Sequence, residues 1–460
     1  MPPPVRLALN TLLMSVMALA ATSAWSWSNH AQGSWPALAA MPELAREAPV
    51  KVESLETFLS AQGDKLAALL AQEEQWARQH VPTYPPLPDA LRWRNDAAAP
   101  GTPRDRFVAA LRLNPASRLS LFMQLPPGVA ALGRPTLPWQ QVTSLERDEK
   151  IKKQLFLALR EGQEVAVLDV LATASDEPDY GLDIGLWQDN QTAHGQRYAM
   201  GKQPFGNPAL EFATQAPLHM GFFHESAIIY KAAPFLQRTY PEYRVHLYAT
   251  LARFALDNGH PYWGWRFAGW ALHYLQDLTQ PYHARVLPGV GVASMLWINA
   301  LDIVGFGGAK TRAVTRVSNR HLVIENYQLN RLTQASLARA GQATGAADAP
   351  MPALMRALAD TAGDAGLVYS PAAIRSVITR DAVARADTLD AALERHVPAR
   401  FISDPGYTFG ETEPEPDLAL LLAAQGEAVT RALDASLAEL LGAFGRHSRA
   451  FVRSLLKPAR

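Results

Sequence analysis

The chain has no cysteine among its 460 residues. That excludes disulfides, thiolate metal ligands and a lipid carried on an N-terminal cysteine. It also lacks an excess of either charge, with 43 Lys+Arg against 43 Asp+Glu. Proteins with a broad nucleic-acid groove usually carry a basic surplus, so the balance weighs against one. The apolar run of ~20 residues that a membrane helix requires is missing too. No internal repeat is present, and no segment is biased enough to read as disordered. The 34 prolines and 29 glycines imply many loops between regular elements.

What is present begins with the N-terminus. Arg6 precedes an apolar stretch whose longest part is Leu12 to Ala21, and the small residues Thr22, Ser23 and Ala24 follow. A basic start, a short apolar centre and a small-residue end make a secretory signal. The expected mature protein is exported, either periplasmic or secreted, with cleavage after Ala24 or Ser26. With 48% hydrophobic and 19% charged residues the remainder can bury a large core.

Apolar residues at helical spacing from Glu53 to His80 read as one amphipathic helix. Residues 81–104 read as a loop, and 105–171 as helical with a break near Leu125-Pro126-Pro127-Gly128. Residues 172–216 are rich in Gly, Pro, Asp and Asn, and an irregular segment of that length is often functional. Helices are expected from Tyr240 to Asp257, Tyr262 to Thr279, about 286–304 and about 311–345, with four more beyond 350. No strand alternation recurs, so the expected architecture is all-α, a multi-helix bundle.

The most chemical stretch is Trp270-Ala-Leu-His273-Tyr-Leu-Gln-Asp277-Leu-Thr-Gln-Pro281-Tyr-His283. His273 and Asp277 are four apart and share a helix face. Pro281 should break the helix and let His283 turn back toward them. Two imidazoles and a carboxylate converging in this way suit zinc; the plainer reading is a core helix with one buried His–Asp hydrogen bond. His321 and Glu325 form a second pair one turn apart, which alone could be a solvated helix face. Upstream lie Asp176-Glu177-Pro178-Asp179-Tyr180, then His219 and His224, and near the expected cleavage sites Trp25-Ser-Trp27-Ser-Asn-His30.

Together these residues resemble the zinc-dependent phospholipases C and the zinc-dependent single-strand nucleases, which share one helical framework. The resemblance rests on residues 25–30 and about 175–330. It implies a phospholipase C/nuclease-like helical domain over 166–460, an N-terminal metal-binding segment over 25–49, and a large helical insertion over 50–165. The insertion and an enlarged tail beyond Glu325 depart from the family pattern. The resemblance further implies three zinc ions. His273 would hold one, with Asp277 bridging to a neighbour, and His283, His321 and Glu325 would hold another. The third would take Asp277, His30 and the new N-terminal residue, Trp25 or Trp27. Asp179 would join the His273 ion and act as general base. The remaining imidazole is left between His219 and His224, with His194 a weaker candidate.

The implied activity is hydrolysis of a phosphodiester, the ions neutralising charge during in-line attack. Glu325 favours the phospholipase branch, since the nucleases usually carry Asp there, so the expected partner is a phospholipid or membrane surface. Nucleic acid is the alternative substrate, and a non-catalytic zinc-stapled scaffold is the alternative from another class. No protein partner is inferable. The apolar stretch from Val286 to Phe306 reads first as a buried core helix and, functionally, as a lip that meets lipid. Trp263, Trp265 and Trp270 read as core in preference to a base-stacking platform. His246 and His260 read as surface and loop histidines.

Overall fold

The computed structural model describes residues 29–96, 98–146, 149–342 and 351–456. The expected signal, Trp25 and Trp27 lie outside them. Helix accounts for 59% of the chain and strand for 3%, so the protein is mostly helical.

The helix α6, Pro261–Asp277, is buried at every position from Tyr262 to Asp277. A helix that is apolar nearly all round belongs at the centre of a fold, and the other elements are arranged about it. Before it come α1 (His30–Ala39), α2 (Leu55–His80), α3 (Pro103–Ala110), α4 (Val167–Ala174) and α5 (Pro241–Asp257). After it come α7 (Pro281–Ala284), α8 (Val292–Ile303), α9 (Gly308–Gln342), α10 (Thr379–His396) and α11 (Glu427–Leu456). Proline at the first helical position starts α3, α5, α6 and α7, where its missing N–H is not needed. Gly269 lets α4 press onto α6: a Cβ there would lie 2.4 Å from Ala174 Cβ.

The stretch expected to be helical over 105–171 is corrected by the structure. Helix α3 ends at Ala110, and α4 resumes only at Val167. Between them are strands β2 (Phe122–Gln124), β3 (Thr136–Leu137) and β4 (Phe156–Ala158), in an antiparallel sheet ordered β2-β4-β3. Pro115, Pro126, Pro127, Pro135 and Pro138 interrupt any helix here, and Gly128 and Gly133 take positive φ in the turns. The hydrophobic contact of Phe122 with Phe156 and Tyr180 gives this sheet a small core of its own.

Strand β1 (Val50–Lys51) pairs with β5 (Glu164–Val165) in the register Val50↔Val165. This short ribbon closes the base of residues 50–165. The enclosed segment nevertheless shares the main core, because Phe58, Trp93 and Phe107 pack in one cluster with Trp263 and Phe267. Trp263 and Trp270 are fully buried and Trp265 nearly so, which makes them core. His246 and His260 are not idle surface groups. His246 meets the buried carboxylate of Glu73 at 2.8 Å and stacks on Trp76, and His260 meets Glu53 at 2.8 Å.

Candidate metal centre

Eight imidazole and carboxylate side chains, Asp179 among them, converge about the C-terminal end of α6. Each arrives by a local structural device. Helix α6 carries His273 and Asp277 one turn apart. The side chain of Gln280 then accepts from the backbone N–H of Tyr282 at the start of α7, and the turn at Pro281 folds His283 back. Its return is fixed by Gly221 N–H donating to the His283 carbonyl at 2.8 Å. Helix α9 contributes His321 and Glu325. Helix α1 begins at His30, capped by the Asn29 side chain, and is tied down by Ala31 N–H donating to Asp176 Oδ1 at 3.0 Å. His219 closes the short helical turn Ala216–His219.

Three groups of side chains have ligand atoms within reach of a single ion: His30, Asp179 and His273; His219, His273 and Asp277; and His283, His321 and Glu325. Asp277 is central. Its Oδ2 lies 2.9 Å from His219 Nδ1 and 3.5 Å from His273 Nε2, while its Oδ1 lies 3.4 Å from His30 Nε2. His219 Nδ1 and His273 Nε2 are 3.1 Å apart. Tetrahedral zinc with bonds near 2.0–2.1 Å places its ligands about 3.3 Å apart, so this triangle has the right size. His283 Nε2 and His321 Nε2 lie 3.4 and 2.6 Å from Glu325 Oε1.

The orientation of the rings fits the same purpose. His273 Nδ1 is 2.8 Å from the Ser175 carbonyl and His283 Nδ1 is 3.0 Å from the His219 carbonyl. As donors there, both rings turn a bare Nε2 inward, the arrangement by which metal-ligating histidines are fixed. His30 Nδ1 meets Gln276 Oε1 at 2.8 Å. His219 is backed by Asp183, whose Oδ2 lies 3.4 Å from Nε2. Asp183 is itself anchored by Arg244 at 2.6 Å and by the Tyr274 hydroxyl at 2.7 Å. Buried His283 Nε2, His321 Nε2, Asp277 Oδ1 and Glu325 Oε2 lack a hydrogen-bond partner. Such orphans are costly in a core, and cations held by the two groups to which these residues belong would satisfy them. The donor set, oxygen and imidazole with no thiolate, suits zinc.

Burial sets the electrostatics. It pushes the Glu325 carboxyl up to about 8, only partly opposed by His283, and the His321 imidazole down to about 3. Burial, reinforced by the charge of His30, holds His273 well below the usual imidazole range. For His219 burial works downward, but hydrogen bonds to Asp183 and Asp277 prevail and raise it to about 10. Burial would raise Asp277 too, yet His273 and His283 outweigh it and keep the carboxyl well below its ordinary value. Asp179 is pushed by burial up to about 7 against the charges of His219 and His30. It keeps 13% side-chain exposure where Asp277 and His273 have none, so it sits on the solvent side of the centre.

Not every candidate joins. His224 Nε2 is bonded to Thr379 Oγ1 at 2.9 Å, and none of the three groups includes it. The loop after His219 runs Met220-Gly221-Phe222-Phe223 and delivers His224 onto α10. His194 Nε2 is 3.2 Å from the Ile184 carbonyl, likewise apart from the groups. The imidazole that enters is His219. The helix expected to be buried core, α8, is corrected as well: Trp297, Val304 and Phe306 are 65%, 66% and 69% exposed along it and its following turn.

The supporting residues were not legible as such. Asp183, Gln215, Gln276 and Gln280 have no metal-ligand spacing, and the only signal was their position in or beside the irregular acidic segment and the metal run. Glu177, buried, forms an ion pair with Arg266 at 2.9 Å and accepts from Trp270 Nε1 at 3.0 Å. It thereby clamps to α6 the 3₁₀ turn Glu177–Tyr180 that presents Asp179. No family model, curated protein or solved structure matches this chain.

Proposed function

We propose that the protein is an exported trinuclear-zinc phosphodiesterase of the phospholipase C type. The observation that carries this reading is Asp277, whose two oxygens face different imidazoles and can therefore be shared between ions. Zinc held by such a centre supplies Lewis-acid polarisation of the phosphoryl group and lowers the pKa of water. In the proposed assignment His219, His273, Asp277 and Asp179 serve one ion. His283, His321 and Glu325 serve a second, and His30 with Asp277 serves a third, completed by the mature N-terminus at Trp25 or Trp27.

The chain's own contribution to turnover centres on Asp179. Gln215 Nε2 donates to its Oδ1 at 3.1 Å, which leaves the other carboxylate oxygen to take the proton of an attacking water. A carboxylate held beside the reacting water can accept and return that proton. The clamp of Glu177 on Arg266 and Trp270 holds the turn so that the carboxylate does not need to be positioned during the reaction.

Zinc-loaded protein is expected to release phosphocholine from phosphatidylcholine vesicles. Asp179→Asn should lower that turnover about 10²–10⁴-fold, a far larger effect than its loss of zinc, since His219, His273 and Asp277 remain to hold the same ion. Release of nucleotides from single-stranded DNA instead would move the reading to the nuclease branch. Zinc without either activity would favour a zinc-stapled scaffold.

A further inference from the structure

Directly beside the second ligand group lies a cavity of about 180 Å³ that the metal chemistry does not use. Its walls are apolar: Phe222, Ile229, Met295, Val314 and Val317 come from four separate segments, among them α8 and α9. The ring of His321 belongs to both places. Its Nε2 faces Glu325 at 2.6 Å, while the same residue, with Tyr282, lines the cavity. The lining cation, Lys310, is nearly buried and neutralised by Asp302 at 2.9 Å. On α8, whose Met295 and Ile298 line the cavity, and in the turn that follows it, Trp297, Val304 and Phe306 are exposed to solvent.

We infer that this cavity is a binding site for one aliphatic chain of a phosphodiester amphiphile, entered from a lipid surface on which the α8 rim rests. The inference rests on the phosphodiesterase reading of the metal centre. Four observations select the occupant. A wall without an available charge and with few polar edges offers little to a nucleobase or a peptide, but it matches a hydrocarbon. The volume is close to the ~150 Å³ of an apolar protein cavity that takes up benzene, so it admits a segment of one chain and not two side by side. Because one imidazole is shared between cavity and ligand group, a chain seated in the cavity leaves its polar end at the metals. Trp297 and Phe306, exposed on the lining helix α8 and in the turn after it, are of the residue types that settle into a membrane interface.

The test separates this site from the phosphodiesterase reading. Alkylphosphocholines from butyl to dodecyl, kept below their micellar concentrations, are titrated into zinc-loaded protein by calorimetry. In parallel, the tail-free phosphodiester p-nitrophenyl phosphocholine is assayed for turnover. Affinity is expected to rise roughly fourfold per methylene, which corresponds to ~0.8 kcal/mol for each CH₂ buried, and to level off once the cavity is full. Val314→Trp, which fills the cavity, should flatten that series. It should also lower the ratio of kcat/KM for lysophosphatidylcholine over the tail-free ester about tenfold, the effect of ~1.4 kcal/mol. A flat chain-length series with the wild-type protein overturns the chain site even if the tail-free ester is cleaved. A graded series without cleavage of the tail-free ester overturns the phosphodiesterase reading and keeps the cavity as a chain site. Should Val314→Trp not fold, the wild-type series alone decides.

Discussion

Loading the centre with zinc should expel protons, and the structure says from where. Zinc ligands must be deprotonated, yet without a cation several groups hold protons at pH 7. Glu325 is raised by burial to about 8, and His219 is raised to about 10 by Asp183 and Asp277 against the effect of burial. Asp179 is raised by burial to about 7. Binding at pH 7 should therefore release roughly two protons per chain. The count is read by titration calorimetry, from the slope of the apparent enthalpy against the ionisation enthalpy of the buffer. The same groups make the stability of the zinc-free protein depend on pH. Their folded pKa values are raised, so the stability they confer is present below their unfolded values and is lost as pH rises through about 7, 8 and 10. His321, lowered to about 3, and His273, lowered as well, act in the opposite sense, but only below about pH 6.5. From pH 7 to 9 the zinc-free protein should lose about 1.4 kcal/mol per pH unit for each proton held only in the folded state. The zinc-loaded protein should be much flatter. Zinc binding without proton release, or identical pH profiles with and without zinc, would refute this account of the centre.

Three further substitutions test the parts that support it. Asp277→Asn should lose roughly one zinc ion or more per chain along with activity, because one carboxylate serves two imidazole sets; mass spectrometry under native conditions reads the loss, and a full metal load would remove the bridging role. Gly269→Ala drives a methyl into Ala174 Cβ, 2.4 Å away, and the Leu171 carbonyl, 2.9 Å away. It should cost about 1–3 kcal/mol in urea denaturation and weaken zinc binding, since His273 lies one turn further along α6. Glu177→Gln strands the buried guanidinium of Arg266 and should cost about 3–5 kcal/mol. A change below 1 kcal/mol would mean that the clamp is not holding the Asp179 turn.

The convergence of His273, Asp277 and His283 is legible in the sequence because its evidence is local. His273 and Asp277 share a face by spacing, and Pro281 announces the break that returns His283. The helices over 241–277 and 308–342 lie within about three residues of those expected, whereas the one expected from about 286 begins at Val292. The region 111–166 departs from expectation, because its prolines mark a series of turns between two- and three-residue strands and not one break in a helix. His219 and His224 are equivalent by distance along the chain, and only the path of the intervening loop separates them. The exposure on α8 is also hidden, since an apolar run looks the same whether its side chains are buried or face solvent. Asp183 and Glu177 act through partners 61 and 89 residues away, a separation that no local pattern encodes.

The most direct measurement is anomalous diffraction at the zinc edge from crystals of the mature protein grown with zinc. The account predicts three peaks: one between His219, His273 and Asp277, one between His283, His321 and Glu325, and one beside His30 on the Oδ1 side of Asp277. Histidine and carboxylate density collapsed into plain hydrogen bonds, with no anomalous peak among these residues, would contradict it.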